Sequence, residues 1–489
     1  MTEERRRDSD SDRTHRPAIS RRRLLAIAGL GAAGATAGCN GLGGDATPTP
    51  DPDGGNDPAD SPASTPTATA TPEATETAAE TSTATETSTQ TSVASGFDAD
   101  TLAESPSSHV APADGFADAS WLSGALPDVV KVTTLDASGE GSLRWALNQP
   151  GARIVVFEVG GVIDLGGQSL AVSRPNVFVA GQTAPSPGIT IIRGGLTIGA
   201  DNVILQHLRV RPGDDLSGPV DCIGNEGGSN VIVDHCTATW GSDESISTNA
   251  GAENPKVTLS NNLIAECLND SIHPKGEHGY GTLVMDRSKQ VTIAGNLWAN
   301  NVARHPRLKG GSTSVVVNNV AYNYERALNL GGGVADETRA SVVGNFYAAG
   351  ERTDPDDPVI GTTYTDADGP VTAFVAYNET DPSSIPITRD GTRIDLVSER
   401  PLWPDGLAAV RGEAAYENAL SASGARPADR DAIDERIVSD VDARAGGVID
   451  SQEEVGGYPD PEPTERELDV PESGLAEWLR EFTLAVEQN

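Results

Sequence analysis

Short runs of β-branched and aliphatic residues recur through the middle of the chain, most of them opened by a polar residue. They read Asn176-Val177-Phe178-Val179, Asn202-Val203-Ile204-Leu205, Asn230-Val231-Ile232-Val233, Lys256-Val257-Thr258-Leu259, Gln290-Val291-Thr292-Ile293 and Ser314-Val315-Val316-Val317, with a weaker copy at Ser341-Val342-Val343. The starts lie roughly 24 to 34 residues apart, inside the range of solenoid repeats. No helical period fills the intervals. Each copy therefore predicts one rung of a right-handed parallel β-helix, an all-β fold. Asparagines close several strands, at Asn261-Asn262, Asn296, Asn318-Asn319 and Asn345. Asparagine tolerates left-handed turns and bonds to backbone, so Asn turns stacked on successive coils satisfy each other's amides.

The ends of a solenoid need caps. Gly141 to Leu147 reads as a short amphipathic helix over the first coil, and the repeat fades after about Thr365. Helical patterns follow between Gly412 and Ala443, in a tail that packs back on the coils. Upstream, Gly44 to Ser95 is almost entirely Thr, Ser, Ala, Pro, Gly and acidic residues, too polar to offset its ordering entropy. Before it, Ser20-Arg21-Arg22-Arg23-Leu24-Leu25 precedes a short apolar run and Thr36-Ala37-Gly38-Cys39. Twin arginines resemble a Tat export signal, and the last four residues resemble a lipobox with Cys39 as the lipidated residue. The predicted organisation is a signal over 1–39, a linker over 40–105, and one domain over 106–489. Within that domain we expect a cap at 106–150, a β-helix at about 151–365 and a tail at 366–489.

The formal net charge of −37 is spread along the chain without a block, as suits solubility in salt. Nucleic acid is not an expected partner. Against this background Arg304-His305-Pro306-Arg307-Leu308-Lys309 stands out as a site for something anionic. At about 1 M salt the Debye length is about 3 Å, so an acidic protein approaches an acidic polymer without long-range repulsion and only local cations count. Cys222, Cys236 and Cys267 lack metal-type spacing and read as buried small side chains, with one disulfide left open.

Several motifs together resemble the pectate lyase superfamily, specifically the family-1 polysaccharide lyases and secreted, haloarchaeal-like members. These are Val233-Asp234-His235-Cys236, Arg304 to Lys309, Ala180 to Pro185, Ser271 to Gly276 and Glu454 to Pro459. The resemblance runs from about Val130 to Pro459. It implies cleavage of polygalacturonate by calcium-assisted β-elimination, with Arg304 as the base. It implies Lys275, Arg307 and Lys309 on substrate carboxylates, and Asp221 and Asp243 as calcium ligands. Two positions depart from the family pattern. Lys309 replaces an arginine and loses its bidentate fork, and Ser247 stands where a second acid is usual, with Glu244 as the compensating ligand. The expected product is a surface-anchored lipoprotein, monomeric, touching the membrane only through its lipid. Other readings are a lyase for another polyuronate such as alginate, a β-helix hydrolase, which needs clustered aspartates, and a non-catalytic polysaccharide-binding protein.

Overall fold

The computed structural model describes residues 114–123, 127–249, 255–362 and 368–488. The predicted signal, Cys39 and the linker lie outside the described residues, and so does the start of the predicted cap. The described chain is a right-handed parallel β-helix whose strands form three sheets of eleven, eight and ten strands. One coil shows the plan: Val203–Gln206 in the first sheet, Leu208–Arg211 in the third, Ile223–Asn225 in the second, and then Val231–Asp234 one rung on. Val203, Val231, Val257 and Val291 fall in continuous register and are fully buried. Each repeat thus places the same aliphatic inside, and the interior is a set of such stacks.

The corner between the first and third sheets costs most in hydrogen bonding. The chain turns there through one left-handed residue, such as His207, His235, Asn261 or Asn318, with φ between 46° and 58°. Behind it runs the predicted ladder: Asn262, Asn296, Asn319 and Asn345 each donate Nδ2 to the next asparagine's Oδ1, ending on Asn378, at 2.8–2.9 Å. Each of these oxygens also accepts a backbone N–H of the preceding asparagine. A buried turn that would strand amide groups is therefore satisfied coil by coil.

The predicted cap helix is α1 (Leu143–Leu147), with Ser142 at its N-cap and Leu143, Ala146 and Leu147 buried. The coil exceeds its expected bounds of 151–365 at both ends. Asp128–Val132 already pairs with Arg153–Phe157, and Val371–Ala376 and Ile394–Leu396 continue the first sheet. Polar insertions between these strands obscure the period in the sequence. Helices α2 (Gly412–Ala422) and α3 (Ala432–Asp442) cover the third sheet, where Ala419, Ile437 and Val441 meet Leu263, Leu297 and Tyr322. Arg209 and Arg211, fully buried, hold Asp431 and Asp434 at the start of α3 across 2.6–3.0 Å. The three central cysteines are free and buried, so the open disulfide is not formed.

Helix α4 (Leu475–Glu487) lies outside the expected elements and packs on the outer face of the first sheet, with Leu479 against Ile154, Phe178 and Ile204. Its last residue reaches into a polar cluster. Glu487 Oε1 is 3.2 Å from His207 Nε2 and 3.5 Å from His235 Nδ1, which also lies 3.0 Å from Asp234. Burial works against charging His235, but Asp234 and Glu487 outweigh it and Arg430 opposes them only weakly, raising its pKa to about 9. The folded value exceeds the unfolded value of about 6.5, so this contribution is complete below pH 6.5 and is lost as pH rises through 9.

Two outcomes follow from these arrangements. Asn319→Ala strips partners from Ile293 C=O and from Asn296, and should lower stability in urea unfolding by about 3 kcal/mol or more. Asn202→Ala, in the half-exposed ladder at the other corner, should cost about 1 kcal/mol. Wild-type stability should fall by about 3 kcal/mol between pH 6.5 and 9.5 through His235. Glu487→Gln should reduce that fall, and an unchanged fall would remove Glu487 from the explanation.

Candidate active site

The second sheet carries the candidate residues. Its strands Ile223–Asn225, Glu244–Thr248, Tyr280–Val284, Arg307–Leu308 and Leu328–Leu330 follow one another along the coil axis. Glu244 is in register with Tyr280, Tyr280 bridges to Ala303, and Arg307 is in register with Asn329. Residues far apart in sequence thereby form one row. Arg304 takes a left-handed backbone, φ 68°, uncommon for a residue with a side chain. Its guanidinium lies 4.1 Å over the Tyr280 ring and forms an ion pair with Glu244, 60 residues earlier.

Beside this pair, Asp221, Asp243 and Glu244 hold carboxylate oxygens within 4.8 Å of one another. Asp221 Oδ1 accepts the Glu244 backbone N–H at 2.9 Å, and its other oxygen accepts the Ser247 hydroxyl. Ser247 thus orients Asp221, one of the three clustered carboxylates. Burial and the neighbouring Asp243 charge push the Asp221 carboxyl up to about 8. Burial acts on Asp243 in the same direction, but the His278 hydrogen bond and the nearby His273 and Arg304 hold it below the usual range. His278 Nε2 lies 2.9 Å from Asp243, and the His273 ring stacks on His278 at 3.8 Å. Three crowded carboxylates, one held up by its neighbours, make an oxygen donor set that suits a hard divalent cation such as calcium.

A cleft of about 190 Å³ opens next to the acids, lined by His278, Tyr280, Arg304, Arg307, Arg326 and Asn329 among others. Arg304 and Arg307 therefore meet in one cavity. Lys275 is exposed on the turn after His273, whose Nδ1 accepts the Lys275 backbone N–H at 3.2 Å. Lys309 departs from its expected place on substrate. Its side chain has no exposed surface, and Nζ lies 3.2 Å from Asp286, because the chain turns inward after Leu308. His305, part of the basic run, is fully buried and pushed down to about 3, so it is neutral. The cation cluster in the sequence is thus two arginines in space. Tyr280, Arg326 and Asn329 are additions that the sequence motifs did not single out. A lone arginine at the same coil position as the basic run is the only signal for Arg326.

No family model matches the chain. "Probable pectate lyase C" of Aspergillus flavus is 33% identical over 384 residues, covering 75% of this chain and 86% of that protein. The protein of the same name from Emericella nidulans is 31% identical over 380 residues, covering 74% and 83%. Among solved structures, the cedar pollen allergen jun a 1 overlays 60% of this chain and 87% of its own with a TM-score of 0.47 at 18% identity, too loose to weigh. With a third of its residues shared across three quarters of its length, the chain belongs to the pectate lyase family.

Proposed function

We propose that this protein cleaves polygalacturonate by calcium-assisted β-elimination, with Arg304 at the reacting carbon. One observation carries the reading: Arg304 stands between three clustered carboxylates and a cationic cleft along the second sheet. Asp221, Asp243 and Glu244 would hold the calcium. When bound, the ion supplies positive charge against the uronate carboxylate as the adjacent carbon loses its proton. Arg307 and Lys275 pair with carboxylates of neighbouring sugars. Arg304 takes the C5 proton on a guanidine nitrogen. The C–H electrons form the C4=C5 double bond, the C4–O bond breaks, and the departing oxygen is protonated by solvent. His278 is an orienting partner of Asp243 in this scheme, because its Nε2 already faces that carboxylate.

Free arginine holds its proton to above about pH 12, so this role implies an alkaline optimum. The ion pair with Glu244 favours a second role, in which Arg304 stays charged and clamps the uronate carboxylate. Arg304→Lys separates the two. Lysine in the base role shifts the pH–rate profile to lower pH, whereas in the clamp role it lowers the rate without moving the profile.

The primary test is ultraviolet absorbance of unsaturated uronide released from polygalacturonate in high salt. Signal is expected with calcium, is lost in chelator, and falls about 10²–10⁴-fold in Arg304→Ala. Saturated products would mean hydrolysis, and no product from polygalacturonate would exclude it as substrate. The N-terminal residues support Tat export and tethering at Cys39 through the 40–105 linker, and a β-helix with capped ends supports a monomer. Mass spectrometry of the mature N-terminus should find a lipid-modified Cys39, and Cys39→Ser should release the protein into the medium.

A further inference from the structure

The proposed reaction uses neither the motif Ala180 to Pro185 nor the C-terminal helix α4. Both border a trough of about 760 Å³ on the outer face of the first sheet, away from the second-sheet cleft. We infer that this trough binds a neutral, apolar molecule with one hydrogen-bond-donating head, such as a long-chain alcohol.

The floor follows from register. Ile154, Phe178 and Ile204 are partners on three successive rungs, in strands Arg153–Phe157, Val177–Ala180 and Val203–Gln206. Rungs stack about 4.8 Å apart, so these outward side chains form a straight apolar stripe along the coil axis. Helix α4 adds Leu475 and Leu484 to the walls, and the segment before the first strand adds Ala119 and Leu122. Only Leu479 and Val486 of α4 are buried, so the helix roofs the stripe without filling the space above it. Small-molecule sites are typically about 300–1,000 Å³ and mostly apolar, with a few placed polar groups.

The polar end has a fixed direction. Asp234 Oδ2 accepts the Gln206 amide N–H at 2.8 Å, and an ionised carboxylate only accepts, so the Gln206 nitrogen must face it. The Gln206 oxygen then accepts from Gln182 Nε2 at 3.0 Å, and that nitrogen also donates to the Thr483 hydroxyl of α4 at 3.2 Å. Both amide hydrogens of Gln182 are thereby used. Its Oε1 is left an acceptor with no partner among the described residues, in a residue 1% exposed. A buried oxygen without a donor is costly, and Gln182 lines the trough. A water would satisfy that oxygen and leave the apolar stripe beside it unfilled.

Charge narrows the head further. Asp234, Glu487 and Arg480 line the same trough, and the charged His235 lies against both acids. An anionic head would meet the two carboxylates, and a cationic head would meet His235 and Arg480. A hydroxyl carries no charge and supplies the proton that Gln182 Oε1 lacks.

Calorimetric titration of the full-length protein at pH 7 with decanol, its methyl ether and decanoate tests the assignment. Saturable binding of the alcohol is expected. The ether lacks the donor and should bind about tenfold more weakly, and decanoate at least as weakly. Ala119→Phe fills the trough and should weaken the alcohol about tenfold or more. Ala476→Trp should do the same from an exposed position on α4. Urea unfolding of each variant checks that it is folded, and the comparison of alcohol with ether on the wild type decides the matter even where a variant is not. No saturable binding of the alcohol, equal binding of alcohol and ether, or unchanged binding in both folded variants would each overturn the site. None of these readouts depends on the lyase reaction.

Discussion

Everything in this molecule depends on backbone register between coils. Each strand is hydrogen-bonded to its counterparts one turn before and one turn after, so an error at one corner would shift every side chain beyond it. The asparagine ladder meets that demand where the chain turns most sharply. Its members are separated by 34, 23 and 26 residues, yet their amides meet at the same 2.9 Å. Loops between rungs are free to vary in length because register is restored at each corner. That freedom lets Asp221, Asp243, Tyr280, Arg304 and Arg326 come from loops of unequal length and still line up.

Charge is handled in two ways. Inside, cations are matched to acids with near-complete burial, as in Arg209 and Arg211 on Asp431 and Asp434, or Lys309 near Asp286. Truncating one partner of such pairs is costly, about 3–5 kcal/mol, although the intact pair adds little by itself. At the second sheet acids and cations meet at the edge of a cleft: three carboxylates crowd together, Glu244 pairs with Arg304, and further arginines line the cleft beside them. Long-range fields of an acidic protein repel an acidic polymer, so the contact depends on these few local cations and on salt that screens the rest.

The inward aliphatics made the coil legible, because a stack of β-branched residues leaves a repeat in the sequence that tolerates variable spacing. The asparagine corners were legible for the same reason. The two-sided nature of the basic run was not. Arg304 and Arg307 face the cleft while Lys309 turns inside, and a run of like residues carries no mark of a strand's end. The contact between Arg304 and Glu244 was hidden because two irregular loops intervene, and its register appears only once both coils are built. Helix α4 escaped notice because its partners are outward residues of the first sheet, such as Phe178 and Ile204, which read as part of the ordinary repeat. Tyr280 and Arg326 belong to no local pattern, and only the stacking of coils brings them to the cleft.

The three central thiols have a consequence for where the protein works. Cys222, Cys236 and Cys267 are fully enclosed and unpaired, and burial pushes the Cys236 thiol up to about 12 and the others upward as well. Thiolate is the reactive form, and burial disfavours it at all three sites. The folded domain is therefore indifferent to redox potential: it needs no oxidant to reach its final covalent state and offers little for one to attack. It can be completed in a reducing compartment and operate in an oxidising one without a change in its bonds.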